Sequence, residues 1–329
     1  MEASETLFDF IRSEGALTVE RYMELCVSHY YSSRDPFGKD GDFITAPEIS
    51  QVFGELIGAW LQDMWQNESA SQSIICEAGP GRGTLMKDIL RVTRHSGLHE
   101  CTDVMMVEAS PVLREIQERT LRHAHKRIRW QDNLDNLPEL PLFFVANEFF
   151  DALPIRQFVG EQERMVEYTE EGLRFTPEGE VTYEDSPLSL DIIRHIASHI
   201  ARFGGAALIV DYGYTGTTHA DTLQAVKNHQ YISALETPGE ADLTAHVDFT
   251  ALRNAAMETG ACVSEITGQG QFLKRLGAEL RAAALCRHLN PEQQKNVLAG
   301  VERLVSPTKM GTLFKVMAIT TNMERPAGF

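Results

Sequence analysis

Basic residues are in short supply. Across 329 residues, 30 Lys and Arg face 47 Asp and Glu, for a formal net charge of −17. Nucleic acids and anionic membrane surfaces need a basic face to neutralise their phosphates, so neither is an expected partner. Solubility accounts for an acidic excess, and so does a partner that brings its own cations. Paired cysteines are missing too. Cys26, Cys76, Cys101, Cys262 and Cys286 include no C-x-x-C pair, which speaks against a disulfide framework or a structural zinc site and suits a reducing compartment. No apolar run approaches the roughly 18 residues of a membrane span. The first residues, MEASETLFDFIRSEG, lack the basic region of a signal peptide and the Arg-rich bias of a presequence. That suits a cytosolic protein, or one already processed.

Two nucleotide and metal signatures are also absent. No Gly-Lys-Ser/Thr follows the glycines, which excludes a P-loop. His195 and His199 stand four apart on a predicted helix, but no Glu–His context accompanies them, so no metal is expected.

What is present alternates. Residues 3–30 and 47–66 carry apolar residues at helical spacing. From Ser73 onward the pattern switches between short apolar runs and amphipathic helices. The runs are SIICEAG, DVMMVEAS, RIRWQD, PLFFVANE and GAALIVDYG, with CVSEIT and TLFKVMAIT further on. Such alternation predicts an α/β fold with a parallel sheet covered on both faces. The stretch between Pro154 and Pro187 is split by turn signals such as EEG and PEGE and reads as antiparallel β structure. The expected organisation is an N-terminal helical segment over 1–72, then a ligand-binding unit over 73–329. The latter holds a β insertion at 155–187 and a helical addition at 269–304.

The motif Glu77-Ala78-Gly79-Pro80-Gly81-Arg82-Gly83-Thr84 follows the first strand and opens a helix. A dinucleotide fold has a glycine where Thr84 stands. Glu77 is more telling, because a carboxylate there repels a pyrophosphate and suits a ligand with an ammonium and a sulfonium. S-adenosylmethionine (SAM) is such a ligand. Glu108 ends the second strand, where an acid can accept both ribose hydroxyls. Asp132, with the Asn133 backbone beside it, follows the third strand and could accept from the adenine amino group. After the fourth strand come Asn147, Glu148 and Asp151. Two carboxylates three residues apart on a helical turn can grip a guanidinium and orient one nitrogen for attack on a methyl group. His246 and Asp248 could reach the same edge, with Asp248 equally suited to cap a helix.

Several segments together are diagnostic: YYSSRDPFGKDGDFITAPEISQVFGE, EAGPGRGTLMKDILR, VEASPVLREIQ, NEFFDALPIRQF, DYGY, PGEADLTAHVDF and QGQFLKRLG. They resemble the MidA family of SAM-dependent methyltransferases, which includes the mitochondrial complex I assembly factor. The resemblance implies a seven-stranded, Rossmann-like class I methyltransferase sheet and methylation of arginine on a protein substrate, a complex I subunit in the mitochondrial members. It leaves open a non-catalytic SAM-binding chaperone, a small-molecule methyltransferase, and the oligomeric state, a homodimer included. The loop 34–50, RDPFGKDGDFITAPEIS, is longer and greasier than a connection needs. It is expected to fold over the cofactor as a lid, with Phe37, Phe43 and Ile44 to bury, glycines 38 and 41 as hinges, and Thr45 and Pro47 close to SAM. Asp42 or Glu48 would add negative charge.

Overall fold

The structure is a computed structural model that describes residues 3–33, 44–68, 72–216, 221–322 and 325–329. Two N-terminal helices, α1 (Ala3–Glu14) and α2 (Val19–Ser33), lead to a short helical turn at Ala46–Ile49 and then to α3 (Gln51–Glu68). The strands and helices of the main unit follow in order: β1 (Ser73–Ala78), α4 (Thr84–Thr93), β2 (Thr102–Val107), α5 (Pro111–Leu121), β3 (Ile128–Gln131), β4 (Leu142–Asn147), α6 (Pro187–Phe203) and β5 (Gly205–Tyr214). Next come β6 (Gln224–Lys227), β7 (Gln230–Ile232), β8 (Asp242–Thr244), α7 (Phe249–Met257), β9 (Cys262–Val263), α8 (Pro291–Val305) and β10 (Phe314–Thr320).

The main sheet is mixed and runs β9-β10-β5-β4-β1-β2-β3. β1 to β5 are parallel, and β10 runs antiparallel to β5. Among the described residues the sheet counts nine strands, because the two-residue strands Val247–Asp248 and Thr267–Gly268 add to β5 and β10. Its apolar runs are explained by burial on both faces. Ile75, Val104, Phe143, Val145 and Leu208 pack under α3, α4 and α8. Their neighbours Ile74, Met105, Phe144, Ala146 and Ile209 pack under α6 and α7. Successive residues of a strand point to opposite faces, so each core takes every second residue. Phe143 and Phe144 are both fully buried, and truncating either to Ala should cost about 3–5 kcal/mol.

A third cluster joins Leu7, Ile11, Tyr22 and Met23 to Val166, Ala225 and Leu243. It ties the N-terminal helices to the β structure that flanks the main sheet. Between Arg156 and Asp185 the chain makes only antiparallel pairings among the described residues.

Several expected elements are cut differently. The helix expected over 3–30 breaks at Gly15, whose φ of 83° ends α1. Leu17 and Thr18 then pair as a strand with Val166 and Met165. The helix expected over 47–66 breaks at Ser50, which is extended. CVSEIT forms two short strands, because Ser264 replaces one rung of the ladder with its side chain: Ala318 N donates to Ser264 Oγ at 2.9 Å. Met310–Leu313 is a helical turn and not the start of β10.

Candidate active site

Everything converges at the C-terminal ends of β1, β4 and β5, the edge where open α/β sheets bind ligands. β1 ends at Ala78, and the chain then turns through Gly79, Gly81 and Gly83 with φ of 62°, 54° and 78°. L-residues rarely adopt such angles, so all three positions favour glycine. A Cβ on Gly79 would also stand 2.9 Å from the Phe149 ring. Gly83 accepts from Lys87 N at 3.0 Å and so starts α4.

Glu77, 3% exposed, lies just before this loop and faces a cavity of about 700 Å³. Burial lifts its carboxyl well above the usual range. Its Oε2 has no hydrogen-bond partner among the described residues. Buried polar atoms are nearly always paired, so this oxygen fits a ligand donor entering from the cavity. Pro80, Gly81 and Thr84 line the same cavity.

Residues 44–50 form another wall, with Ile44, Thr45, Pro47 and Glu48 facing inward. This turn bridges two loops. Ala46 N donates to Glu148 Oε1 at 2.9 Å, and Thr84 Oγ1 donates to Glu48 Oε1. The residues expected to hinge and bury the lid, Phe37, Gly38, Gly41, Asp42 and Phe43, lie outside the described residues.

The cavity floor is acidic. Glu148 and Asp151 both line it, but not from one helical turn as expected. Glu148 has φ of 53°, and only Phe150–Ala152 form a 3-10 turn. A left-handed, non-glycine residue at this point is strained, and the strain aims the carboxylate inward. Burial raises the Glu148 carboxyl to about 7, while Ala46 N, Asn147 and Arg303 pull the other way. Asn147 Nδ2 donates to Glu148 Oε1 at 3.1 Å, and Asn147 Oδ1 is buried without a partner among the described residues.

Asp211, fully buried, organises the loop. Its Oδ2 accepts from Phe149 N, Phe150 N and Asp151 N at 3.1, 2.9 and 3.3 Å. Burial and the Glu148 charge push its carboxyl up to about 8 against these donors. Asp242 on β8 accepts from the Tyr31 hydroxyl at 2.9 Å. Asp151 is held well above the usual range, first by burial and then by the charges of Asp211, Asp242 and Glu148. Four carboxyl groups thus share one site. They cannot all ionise there without a cation between them.

Other expected residues are placed differently. Glu108 lies at the end of β2 outside the cavity wall, 9% exposed, and burial raises its carboxyl. It accepts from Ser110 N at 2.8 Å and Gln117 Nε2 at 3.1 Å, which still leaves lone pairs on both oxygens. Asp132 has a side chain 76% exposed and pairs with Arg114. Asn133 turns its Oδ1 to Asp135 N. Neither lines the cavity. Asp248 caps α7 by accepting from Ala251 N at 2.9 Å. His246 faces the cavity and stacks edge-on against Tyr212 at 5.3 Å. His195 and His199 bond the carbonyls of Leu134 and Leu140. Gln224, Tyr231 and Arg303 also line the cavity and carry no sequence signal of their own, while Tyr31 and Asp242 line it from within segments quoted above without having been singled out as site residues.

Comparison with known proteins bears on this geometry. Residues 56–189 and 173–267 match the family described as "Putative S-adenosyl-L-methionine-dependent methyltransferase". The Danio rerio mitochondrial protein arginine methyltransferase NDUFAF7 is 36% identical, over 94% of this chain and 84% of that protein. The Homo sapiens protein of the same name is also 36% identical, over 97% of this chain and 83% of its own length. A Burkholderia thailandensis protein solved with bound S-adenosyl-homocysteine superposes with a TM-score of 0.86. It is 27% identical and covers 99% of this chain and 94% of its own.

Proposed function

The chain belongs to this family of SAM-dependent methyltransferases, and from that premise we propose that it methylates arginine side chains of a protein substrate. The observation that carries the reading is the shared cavity. An unpaired Glu77 oxygen and a floor of Glu148, Asp151 and Asp242 face one space. Relatives named as protein arginine methyltransferases support the same acceptor.

When bound, SAM supplies an electrophilic methyl group. Glu77 would take the ammonium of its methionine part, and the Gly79–Gly83 turn, with Pro80 and Thr84, would pass close beneath it. Glu108 would accept from the ribose. Thr45 and Pro47, in the described part of the segment expected as a lid, would close the cavity from outside. Asp132, whose Oδ1 pairs with Arg114, would accept from the adenine amino group through its other oxygen, with the Asn133 backbone beside it.

Glu148 and Asp151 would hold the guanidinium, with Asn147 fixing the Glu148 carboxylate. An arginine is cationic at any physiological pH. It brings positive charge to the carboxyl cluster, and its planar fork suits paired carboxylates. Each methylation releases one proton from the attacked nitrogen. A carboxyl poised near 7 is well matched to accept it.

The finer architecture is proposed in the same terms. The seven strands of the path β9 to β3 would be the class I methyltransferase sheet, residues 155–187 an insertion into it, and 269–304 a helical addition. The named relatives are mitochondrial. For this chain we place the activity in a bacterial cytoplasm or in the mitochondrial matrix, with a respiratory complex I subunit as the acceptor in the latter case. The test is transfer from methyl-tritiated SAM to proteins of a lysate that lacks the enzyme, followed by hydrolysis. Label in methylarginine is expected. Label confined to other residues or to small molecules would overturn the acceptor.

A further inference from the structure

One wall of the cavity is a small antiparallel sheet in the order β7-β6-β8. Its faces differ. Ala225 and Leu243 are buried in the third core, and Ile232 packs against it. Gln224, Val226, Tyr231, Asp242 and Thr244 face the cavity. Asn228 and His229 join β6 to β7 with φ of 52° and 60°, the two left-handed residues of a type I′ turn. That turn fixes the register and sets Tyr231 opposite Val226.

Tyr231 lines the cavity yet is 76% exposed, so it stands at the mouth. Leu313, 46% exposed, lines the same cavity from a different element. Among the described residues β7 pairs with β6 alone and is therefore an edge strand. In a hairpin closed by two residues, Lys227 and Gln230 form the hydrogen-bonded pair next to the turn. Tyr231, one residue on, then turns its N–H and C=O toward the open edge. Proteins usually blunt such edges with charge or proline. Gln230-Tyr231-Ile232 has neither.

Resting on the arginine reading of this site, we infer that β7 docks the substrate chain. An extended segment of the protein substrate adds beside Gln230–Ile232 and hangs its arginine into the acidic cavity. The occupant is set by charge and by shape. The floor of Glu148, Asp151 and Asp242 takes a cation, and the open edge takes a peptide backbone, which a small-molecule acceptor does not have. Residues two apart in a strand share a face, so the Tyr231 ring meets the side chain two positions from the arginine. Tyr231 is a specificity-determining residue in this arrangement. It touches the chain around the acceptor and not the reacting atoms.

The probes are an arginine-centred peptide library and N-acetyl-arginine amide, assayed with methyl-tritiated SAM. In Tyr231→Ala the preference for peptide over amide should fall about tenfold, through KM and not kcat. Tyr231→Phe should restore it, and affinity for S-adenosyl-homocysteine should stay at the wild-type value. On the wild-type enzyme, backbone N-methylation at one alternate set of peptide positions should abolish the peptide advantage, and at the other set spare it. An unchanged preference in Tyr231→Ala, or equal use of both N-methylated sets, overturns edge docking while the arginine reading stands. Wild-type enzyme that labels neither peptide nor amide overturns the arginine reading, and this inference with it.

Discussion

Glu148→Gln replaces a charged oxygen by an amide nitrogen of nearly the same size. The remaining Oε1 can still accept from Ala46 N, which donates to it at 2.9 Å in the native protein. The backbone, already at φ of 53°, gains no new clash. The carboxylate offered to the guanidinium is what disappears. Loss of one partner from a desolvated charge pair costs about 2–4 kcal/mol, or roughly 30- to 1,000-fold in kcat/KM. S-adenosyl-homocysteine carries no sulfonium charge, so its affinity should change by less than about threefold. Stability should move the other way. Burial holds the Glu148 carboxyl at about 7 rather than 4.5, so the folded state binds the proton more tightly than the unfolded chain. That contribution is full below about pH 4.5 and is lost as pH rises to about 7. At pH 8 the glutamine variant avoids the cost, at most about 3 kcal/mol at 1.36 kcal/mol per pKa unit. Calorimetry with S-adenosyl-homocysteine, thermal melts at pH 5 and 8, and kcat/KM on an arginine peptide measure all three. A variant with wild-type kcat/KM would refute the role given to this carboxylate.

Three further outcomes follow from the same geometry. For the wild type, kcat/KM should fall about tenfold per pH unit below pH 7, because the Glu148 carboxylate is protonated there; a profile flat from pH 8 to 5.5 would exclude Glu148 as the group that takes the proton. Glu77→Gln should weaken S-adenosyl-homocysteine about tenfold or more, yet leave methylthioadenosine, which has no amino-acid part, bound as before; equal losses for both ligands would remove the ammonium from Glu77. Gly79→Ala should cost about 1–2 kcal/mol in backbone strain, with further loss from the Cβ approach to Phe149; an unshifted melt would show that the loop relaxes.

The parallel strands were legible because both faces are buried, so Ile74-Ile75 and Phe143-Phe144 read as unbroken apolar runs. The glycine turn was legible because left-handed angles confine the residue type at Gly79, Gly81 and Gly83. The hairpin β6–β7 was not. Its strands are four and three residues long, and its turn uses Asn228-His229 where glycine is the usual signal. Asp242 lies in a diagnostic segment, but nothing local marked it as a site residue, because only tertiary packing brings its three-residue strand to the cavity floor. Asp132 shows the converse. Its position after β3 follows from spacing, but the pairing with Arg114 of α5 depends on a contact that spacing does not reveal.

The most direct measurement uses a bisubstrate analogue, S-adenosyl-homocysteine carrying a guanidinium where the transferred methyl would be. Titration calorimetry should find it at least about tenfold tighter than S-adenosyl-homocysteine itself on the wild type, with that excess gone in Glu148→Gln and the parent ligand bound equally by both proteins. An analogue no tighter than S-adenosyl-homocysteine on the wild type would contradict a cavity that holds cofactor and guanidinium together.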